Sequence, residues 1–250
     1  CIINITIIIV ILIMKIRLIS WNINMFNPDK PELKNKIINE INQKVSNEDF
    51  IILIESSHTF VNDLLKTELK NKYNLFNGFG VSHGGFIHIL YNKDLDESNL
   101  QKIEITIDNP TLLIRYVKDN IVFYLAGCHL APFAENSQRR IEELLIVRTV
   151  VPDNEHLILV GDMNIREKET KFLEKSDNIL GVVDSGDKRK TWYRYFFEPD
   201  NINITSRFDR LFFSKNISLD SFELFGKKYN NKKMELLSDH LAIKAQVNIN

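Results

Sequence analysis

Cysteine, proline and glycine are all scarce in this chain. Its 250 residues include two cysteines, six prolines and nine glycines. Two cysteines cannot build the disulfide framework of a small secreted protein, so we expect an intracellular protein of the nucleus or cytoplasm. No linker rich in Gly, Ser or Pro divides the chain, and this absence predicts a single domain over residues 14–250.

An excess of charge and a long hydrophobic run are absent as well. The 32 Lys and Arg residues nearly balance the 33 Asp and Glu residues, and the formal net charge is -1. A general affinity for polyanions is therefore not expected, and a nucleic acid would have to meet a local basic patch or a bound cation. The apolar run over residues 1–13 is shorter than the roughly 20 residues of a transmembrane helix, so we expect no stable membrane association.

The apolar leader, residues 1–13, does not have the features of a secretory signal. It lacks a basic start and a small-residue cleavage site. The chain begins with Cys1 rather than methionine, and Met14 directly precedes the first convincing strand. We therefore interpret residues 1–13 as translated upstream sequence and Met14 as the natural start; a targeting or anchoring segment and an extra strand are the alternatives.

Apolar runs and their periodicity predict the secondary structure. Helices are predicted over residues 33–45, 58–73 and 137–150. Strands are predicted over residues 16–20, 50–54, 84–91, 103–107, 111–117, 121–128, 156–160, 208–213 and 241–247. Because strands dominate and helices are interspersed, we predict an α/β fold: a four-layer sandwich of two mixed, largely antiparallel sheets flanked by helices.

Sparse polar residues follow the apolar strands. A sheet can point such side chains into one shared cleft, and carboxylate and amide oxygens are the ligands that Mg²⁺ or Mn²⁺ prefers. Glu55 is the best single ligand candidate because an apolar strand runs directly into it. The layout predicts one metal-dependent active site, assembled from Ser20-Trp21-Asn22, Glu55, His129, Gly161-Asp162-Met163-Asn164, Asp209-Arg210 and Ser238-Asp239-His240.

These segments occur in the order of a known superfamily. Ser20-Trp21-Asn22-Ile23-Asn24, Leu53-Ile54-Glu55, His129-Leu130, Gly161-Asp162-Met163-Asn164 and Ser238-Asp239-His240 resemble the endonuclease/exonuclease/phosphatase superfamily. Within it, the 5′-tyrosyl-DNA phosphodiesterase branch is the most similar. That likeness rests on residues 161–166, residues 207–213, Thr191-Trp192, and His129-Leu130 followed by Arg140 and Leu144.

The resemblance implies a metal site. Glu55 and Asn22 would hold Mg²⁺, for which Mn²⁺ can substitute, with Asn24 and Asp239 nearby directly or through water. Many members of the superfamily carry Asp at the position of Asn24. An amide in place of a carboxylate removes a negative charge, so we expect a weaker hold on the ion or a shift of its coordination to Glu55.

The resemblance also implies catalytic roles for five residues. Asp162 would orient or deprotonate the attacking water, and Asn164 would bind the phosphate. His240 and His129 would donate hydrogen bonds to phosphoryl oxygens, and Asp209 would orient His240. Such donors suit the reaction because phosphodiester oxygens repel the nucleophile until their charge is neutralised.

Four further residues are candidates for substrate binding. Trp192 would stack on a base or a phosphotyrosyl ring, or else pack in the core. Arg140, Arg166 and Arg210 would pair with phosphate, or else form structural ion pairs with nearby carboxylates. His83, His88 and His156 show no metal-ligand spacing and Cys128 lies in an apolar strand, so we expect structural roles for them.

Together these features predict a Mg²⁺-dependent phosphodiesterase acting in DNA repair. Its partner would be a DNA 5′ end that carries a covalent tyrosyl or peptide adduct left by a trapped topoisomerase, and we expect a monomer. The alternatives are another phosphoesterase of the superfamily (an abasic-site or non-specific nuclease, an RNA deadenylase, or an inositol or lipid phosphoesterase) or a catalytically dead binding module. Asn24 is the one residue that favours the dead module.

Overall fold

Apolar strands build two sheets that face each other across the centre of the protein. The computed structural model of the chain describes residues 13–24, 31–76, 80–82, 85–175, 180–194, 204–230 and 233–249. The predicted leader apart from Ile13, and also His83 and Gly84, lie outside these residues. Within these ranges, no helix is long and apolar enough to span a membrane.

The described elements follow one another as short strands and helices. The helices are α1 (Pro31–Lys44), α2 (His58–Leu64), α3 (Leu69–Lys72), α4 (Ser137–Thr149) and α5 (Glu167–Lys175). The first nine strands are β1 (Met14–Asn22), β2 (Phe50–Ser56), β3 (Tyr73–Leu75), β4 (Gly80–Ser82), β5 (Gly85–Asn92), β6 (Leu100–Ile103), β7 (Thr111–Lys118), β8 (Ile121–His129) and β9 (His156–Asp162). The others are β10 (Val182–Asp184), β11 (Trp192–Tyr193), β12 (Thr205–Ser206), β13 (Asp209–Ser214), β14 (Ile217–Phe225), β15 (Lys227–Asn230), β16 (Lys233–Leu236) and β17 (Ala242–Ile249).

Two mixed sheets dominate, as predicted. The first sheet has the order β14-β17-β1-β2-β5-β3, with β4 paired to β5, and the second has the order β10-β13-β9-β8-β7-β6. Pairs β1–β2 and β8–β9 are parallel, and the other strand pairs within the two sheets are antiparallel. The prediction of a four-layer α/β sandwich with largely antiparallel sheets is confirmed.

The central strands are apolar on both faces because both faces are covered. On β2, Phe50, Ile52 and Ile54 face the core between the sheets. The alternate residues Ile51 and Leu53 pack in a second core with residues of α1 and α2. On the second sheet, residues of β8 and β9 form a third core with residues of α4. This layering explains why these strands read as continuous apolar runs.

The two parallel pairs place four polar residues at one edge of the sandwich. Strand β1 ends at Asn22, and β2 carries Glu55 at its end; β8 ends at His129 and β9 at Asp162. His129 and Asp162 are register partners. Asp209 opens β13 directly opposite Asp162. Strand direction and register therefore bring the predicted site residues to the same edge.

Gly161 permits the close approach of the strands just before Asp162. Its φ of +139° lies in a region that L side chains rarely adopt. A Cβ at this position would collide with the Cys128 carbonyl oxygen and would lie 2.8 Å from Ile54 Cδ1 of the facing sheet. Only glycine fits where β9 meets both β8 and the first sheet.

Three features of the secondary structure differ from the prediction. The helix predicted over 58–73 is broken, because the Thr67 hydroxyl binds Leu64 O and accepts from Leu69 N in place of helical backbone bonds. The strand predicted over 103–107 is wrong: β6 ends at Ile103, and Ile105 and Ile107 pack onto the core from an irregular segment. Helix α5 and the strands β3, β4, β10, β11, β12, β14, β15 and β16 were not predicted. In β14, a bulge between Leu219 and Ser221 breaks the alternation.

Buried His88 couples folding to pH. Its Nδ1 lies 2.6 Å from Ser56 Oγ and its Nε2 lies 3.0 Å from His58 Nδ1. Burial, and secondarily the neighbouring His58, lowers the pKa of His88 to about 4. Since the unfolded chain takes up a proton near pH 6.5 and the folded protein does not, stability is lost as the pH falls from about 6.5 towards about 4.

We expect His88 to account for about 2–3 kcal/mol of the difference in unfolding free energy between pH 7.5 and pH 4.5. The measurement is urea unfolding of the wild type and His88→Gln at both pH values. The substitution should reduce the difference by that amount. Equal pH dependence in the two proteins would contradict the prediction.

Candidate active site

Asn22 connects two acidic side chains at the edge of the sheets. Its Nδ2 donates to Glu55 Oε1 at 3.0 Å and to Asp162 Oδ2 at 3.1 Å, and its Oδ1 accepts from Asn24 N at 3.1 Å. Glu55 sits in a bulge of β2 with a φ of +50°. This left-handed conformation ends the register of β2 with β5 and presents the carboxylate to the cleft.

The same carboxylates form a cation-binding arrangement with His129. His129 Nε2 lies 3.4 Å from Glu55 Oε1 and 3.7 Å from Asp162 Oδ2, and one ligand atom from each of the three residues lies within 4.8 Å of the others. Burial raises the pKa of Glu55, and the Asp162 carboxylate acts in the same direction. A divalent cation would offset this unfavourable burial of charge, so the residues present fit the metal that the resemblance implies.

Asp209 and His240 form a buried pair beside this cluster. His240 Nδ1 lies 2.8 Å from Asp209 Oδ2, and Nε2 lies 3.6 Å from Asp162 Oδ2. Although burial opposes the charged form, the carboxylates of Asp209, Asp162 and Asp239 raise the pKa of His240 well above its usual value. The imidazolium therefore has one N–H directed to Asp209, and its other ring nitrogen lies beside Asp162 at the cleft.

Asp239 is fixed by neighbours on both sides. Its Oδ1 accepts from Asn24 Nδ2 at 2.9 Å, and its Oδ2 accepts from the indole Nε1 of Trp192 at 3.0 Å. Asn24 has a φ of +47°, a conformation that asparagine tolerates. An aspartate in place of Asn24 would face Asp239 with a second carboxylate. The amide at position 24 is therefore matched to Asp239 in this chain.

Asn164 lies next to Asp162 with its side chain held in place. Its backbone N donates to Asp162 Oδ1 at 3.0 Å, and its Nδ2 donates to Leu130 O at 3.0 Å. The φ of +50° turns the chain sharply after β9. Among the described residues, the second amide hydrogen and the side-chain oxygen of Asn164 have no hydrogen-bond partner, so they can bind a ligand.

A cleft of about 790 Å³ opens over these residues, and aromatic and cationic side chains line it. Trp192 is half-buried and its ring centroid lies 5.4 Å from that of Phe208. The Arg166 guanidinium carbon lies 5.3 Å from the Phe208 centroid. Sequence reasoning assigned no role to Phe208 or to the exposed Phe133, which both line the cleft. The sequence around a single phenylalanine does not indicate whether its ring lines a cleft.

Two predicted phosphate contacts are contradicted by burial. Arg140 is 0% exposed, and its Nε donates to Glu169 at 2.7 Å. Arg210 is also buried, and its Nη1 donates to Asp184 at 3.2 Å. Each guanidinium also binds backbone carbonyl oxygens, so both arginines are structural. Of the three predicted arginines, Arg166 lines the cleft.

The sequence and the fold both match known proteins. The profile of the Endonuclease/Exonuclease/phosphatase family matches residues 19–240. A zebrafish (D. rerio) TDP2 structure, complexed with single-strand DNA product, is 23% identical, with a TM-score of 0.71 over 94% of this chain and 99% of that chain. Truncated Caenorhabditis elegans TDP2 is 18% identical, with a TM-score of 0.69 over 94% of this chain and 98% of that chain.

A third similar structure is not a TDP2 protein. The human Nocturnin catalytic domain, with a bound sulfate anion, is 16% identical, with a TM-score of 0.65 and 93% coverage of both chains. At these identities the likeness establishes the fold alone. No curated protein sequence matches this chain.

Proposed function

Because this chain belongs to the Endonuclease/Exonuclease/phosphatase family, whose members hydrolyse phosphoester bonds, we propose that it is a Mg²⁺-dependent phosphodiesterase that acts at the 5′ ends of single-stranded DNA. The preferred bond is a 5′-phosphotyrosyl link. The observation that most supports this proposal is the convergence of the Asp209–His240 pair and the Glu55–Asn22–Asp162 cluster on one point, at the base of a cleft with aromatic walls.

The metal site consists of the residues around Glu55. Glu55 and Asn22 would hold Mg²⁺, or Mn²⁺ in its place, with Asn24 and Asp239 as nearby or water-mediated ligands. When bound, the ion neutralises charge on the phosphoryl oxygens. A ligand role for Asn22 requires its Oδ1, which in the structure accepts from Asn24 N.

The protein's own residues then divide the reaction between them. Asp162 takes the proton of the attacking water. His240, kept protonated by Asp209, donates a hydrogen bond to a phosphoryl oxygen as negative charge develops there. His129 and the free amide hydrogen of Asn164 act on the same oxygens. The water oxygen forms a new bond to phosphorus as the bond between phosphorus and the phenolic oxygen breaks. The phenolate takes up a proton from solvent and leaves as tyrosine, and the DNA keeps a 5′-phosphate.

The walls of the cleft support a single-stranded end as the substrate. Trp192 and Phe208 offer aromatic surface, which binds unstacked bases with little sequence preference. Arg166 places a cation beside them. A protein whose net charge is only -1 needs such a local cation to bind a phosphate backbone. Zebrafish TDP2 holds a single-strand DNA product, which agrees with the proposal.

The test is turnover of a 5′-phosphotyrosyl single-stranded oligonucleotide. We expect Mg²⁺-dependent release of tyrosine that leaves a 5′-phosphate, and loss of that activity in Asp162→Asn. A p-nitrophenyl phosphodiester serves as a generic substrate. If the protein hydrolyses only the generic diester, it is a phosphodiesterase but does not act at DNA 5′ ends. Preferred cleavage of abasic duplex DNA, poly(A) RNA or an inositol phosphate would assign a different phosphoester.

A further inference from the structure

Phe133 is a strained and exposed aromatic residue at the cleft. Its side chain is 64% exposed, and its φ of +69° is unusual for a residue with a bulky side chain. Such conformations cost about 1–3 kcal/mol and persist only where the surrounding structure enforces them. Residues in these conformations cluster at functional sites. The ring also lines the cleft that holds Asp162 and Asn164. Strain and exposure therefore coincide at the active site.

Helix α4 enforces this conformation with two buried side chains. Arg140 Nη1 donates to the carbonyl oxygens of Ala131 at 2.7 Å and Phe133 at 2.6 Å. Glu143 Oε2 accepts from Ala131 N at 3.0 Å. The Arg140 guanidinium is in turn held by Glu169 of α5. Two helices thus fix the peptide groups that set the direction of the Phe133 ring.

The other aromatic rings of the cleft have less free surface. Phe208 is 9% exposed, with Trp192 packed on it and Arg166 over its ring. Trp192 is half-buried and its indole N–H is bound to Asp239. Among the aromatic residues of the cleft that the structure describes, Phe133 offers the most exposed ring.

We propose that Phe133 is a substrate-binding residue that stacks on a nucleobase close to the reacting phosphate. This inference rests on the proposed function, because it takes the substrate to be a single-stranded nucleic acid. A nucleobase is the occupant that fits, because it presents a flat π-face, and the phosphates of the strand that carries it match the cation of Arg166 in the same cleft. Arg140 is a positioning residue, since it acts on the ring only through the backbone of the loop.

The test pairs a ring deletion in the protein with a base deletion in the substrate. Wild type, Phe133→Ala and Phe133→Tyr are compared on 5′-phosphotyrosyl oligonucleotides with an intact sequence or with one abasic residue at the first, second or third nucleotide. We expect Phe133→Ala to reduce kcat/KM on the intact strand about 10-fold, chiefly through KM. At one of the three positions, the abasic substitution should lower kcat/KM of the wild type by a similar factor and should change kcat/KM of Phe133→Ala little. Phe133→Tyr should behave as the wild type.

Two controls separate stacking from other effects. Phe172→Ala removes an exposed phenylalanine of α5 that does not line the cleft, and it should leave kcat/KM unchanged. Phe133→Gly relieves the backbone strain, so it should raise or maintain Tm while it raises KM. If Phe133 has a purely structural role, this substitution should lower Tm.

The inference and the proposed function can fail separately. If Phe133→Ala lowers kcat/KM equally for the intact strand and for all three abasic strands, the base-stacking role is overturned. If the wild type releases no tyrosine, the proposed function fails. Fluorescence anisotropy of 5′-phosphorylated oligonucleotides, with the same abasic series, would then still decide whether Phe133 stacks on a base.

Discussion

Glu55→Gln is expected to abolish turnover without destabilising the protein. Metal-assisted charge stabilisation is worth several kcal/mol in such reactions, so loss of the ligand should lower kcat about a thousandfold or more. Burial and the nearby Asp162 raise the pKa of Glu55, which means that its charged form is unfavourable in the metal-free fold. A neutral amide of the same shape removes that penalty. We therefore expect the metal-free variant to have a Tm equal to or above that of the wild type.

The response to Mg²⁺ separates a metal ligand from a residue that only shapes the cleft. Mg²⁺ at about 100 times its Kd should stabilise the wild type by about 2.7 kcal/mol, and the variant should gain little. The measurement is Tm with and without Mg²⁺ beside turnover of the phosphotyrosyl oligonucleotide. Glu142→Gln, on the exposed face of α4, is the matched control and should behave as the wild type. Full Mg²⁺ stabilisation of Glu55→Gln would contradict the ligand role.

The edge of the sandwich could be predicted because it depends on local patterns. Apolar runs that stop at a polar residue mark strand ends, and the carboxyl ends of parallel strands meet at one edge. This rule alone places Asn22 beside Glu55 and His129 beside Asp162. The residues before β17 join them because Ser238 Oγ donates to Asn22 O at 2.8 Å. That contact spans nearly the whole chain, and the sequence indicates it only through the resemblance.

The roles of the arginines could not be predicted in this way. A guanidinium binds carboxylates and phosphates with the same geometry, so its partner depends on which carboxylate the fold brings near. Arg140 lies on the inner face of α4, and its partner Glu169 belongs to α5, a helix that the periodicity did not predict. Likewise, Arg210 pairs with Asp184 on the neighbouring strand β10. Burial of a charge is a tertiary property.

The exposure of Phe133 was equally hidden from sequence reasoning. A phenylalanine after Pro132 looks like any loop residue, and its left-handed backbone follows from bonds to Arg140 and from the anchoring of Ala131 by Glu143. Both partners come later in the chain, on a helix that was correctly predicted. Their direction, however, depends on how α4 packs against the second sheet. Local pattern therefore predicted which residues gather at this edge of the sheets, and packing determines the shape of the cleft around them.

Arg140→Met is expected to destabilise the protein by about 3–5 kcal/mol, because it leaves Glu169 buried without its cation and removes the donor of two carbonyl groups. Urea unfolding measures the loss. Arg139→Met on the same helix turn should cost clearly less, because Arg139 is exposed, and Glu143, its buried partner at 3.5 Å, keeps its hydrogen bonds to Asn109 and Ala131. In the double variant Arg140→Met/Glu169→Gln, the buried carboxylate is neutralised and the side-chain oxygen at position 169 can still accept from Arg166 N, so part of the stability should return. The carbonyl oxygens of Ala131 and Phe133 would still lack the hydrogen bonds that Arg140 donates. If Arg140 directs the Phe133 ring as proposed, the double variant has the same raised KM as Phe133→Ala. A wild-type KM would show that the direction of the ring does not depend on Arg140.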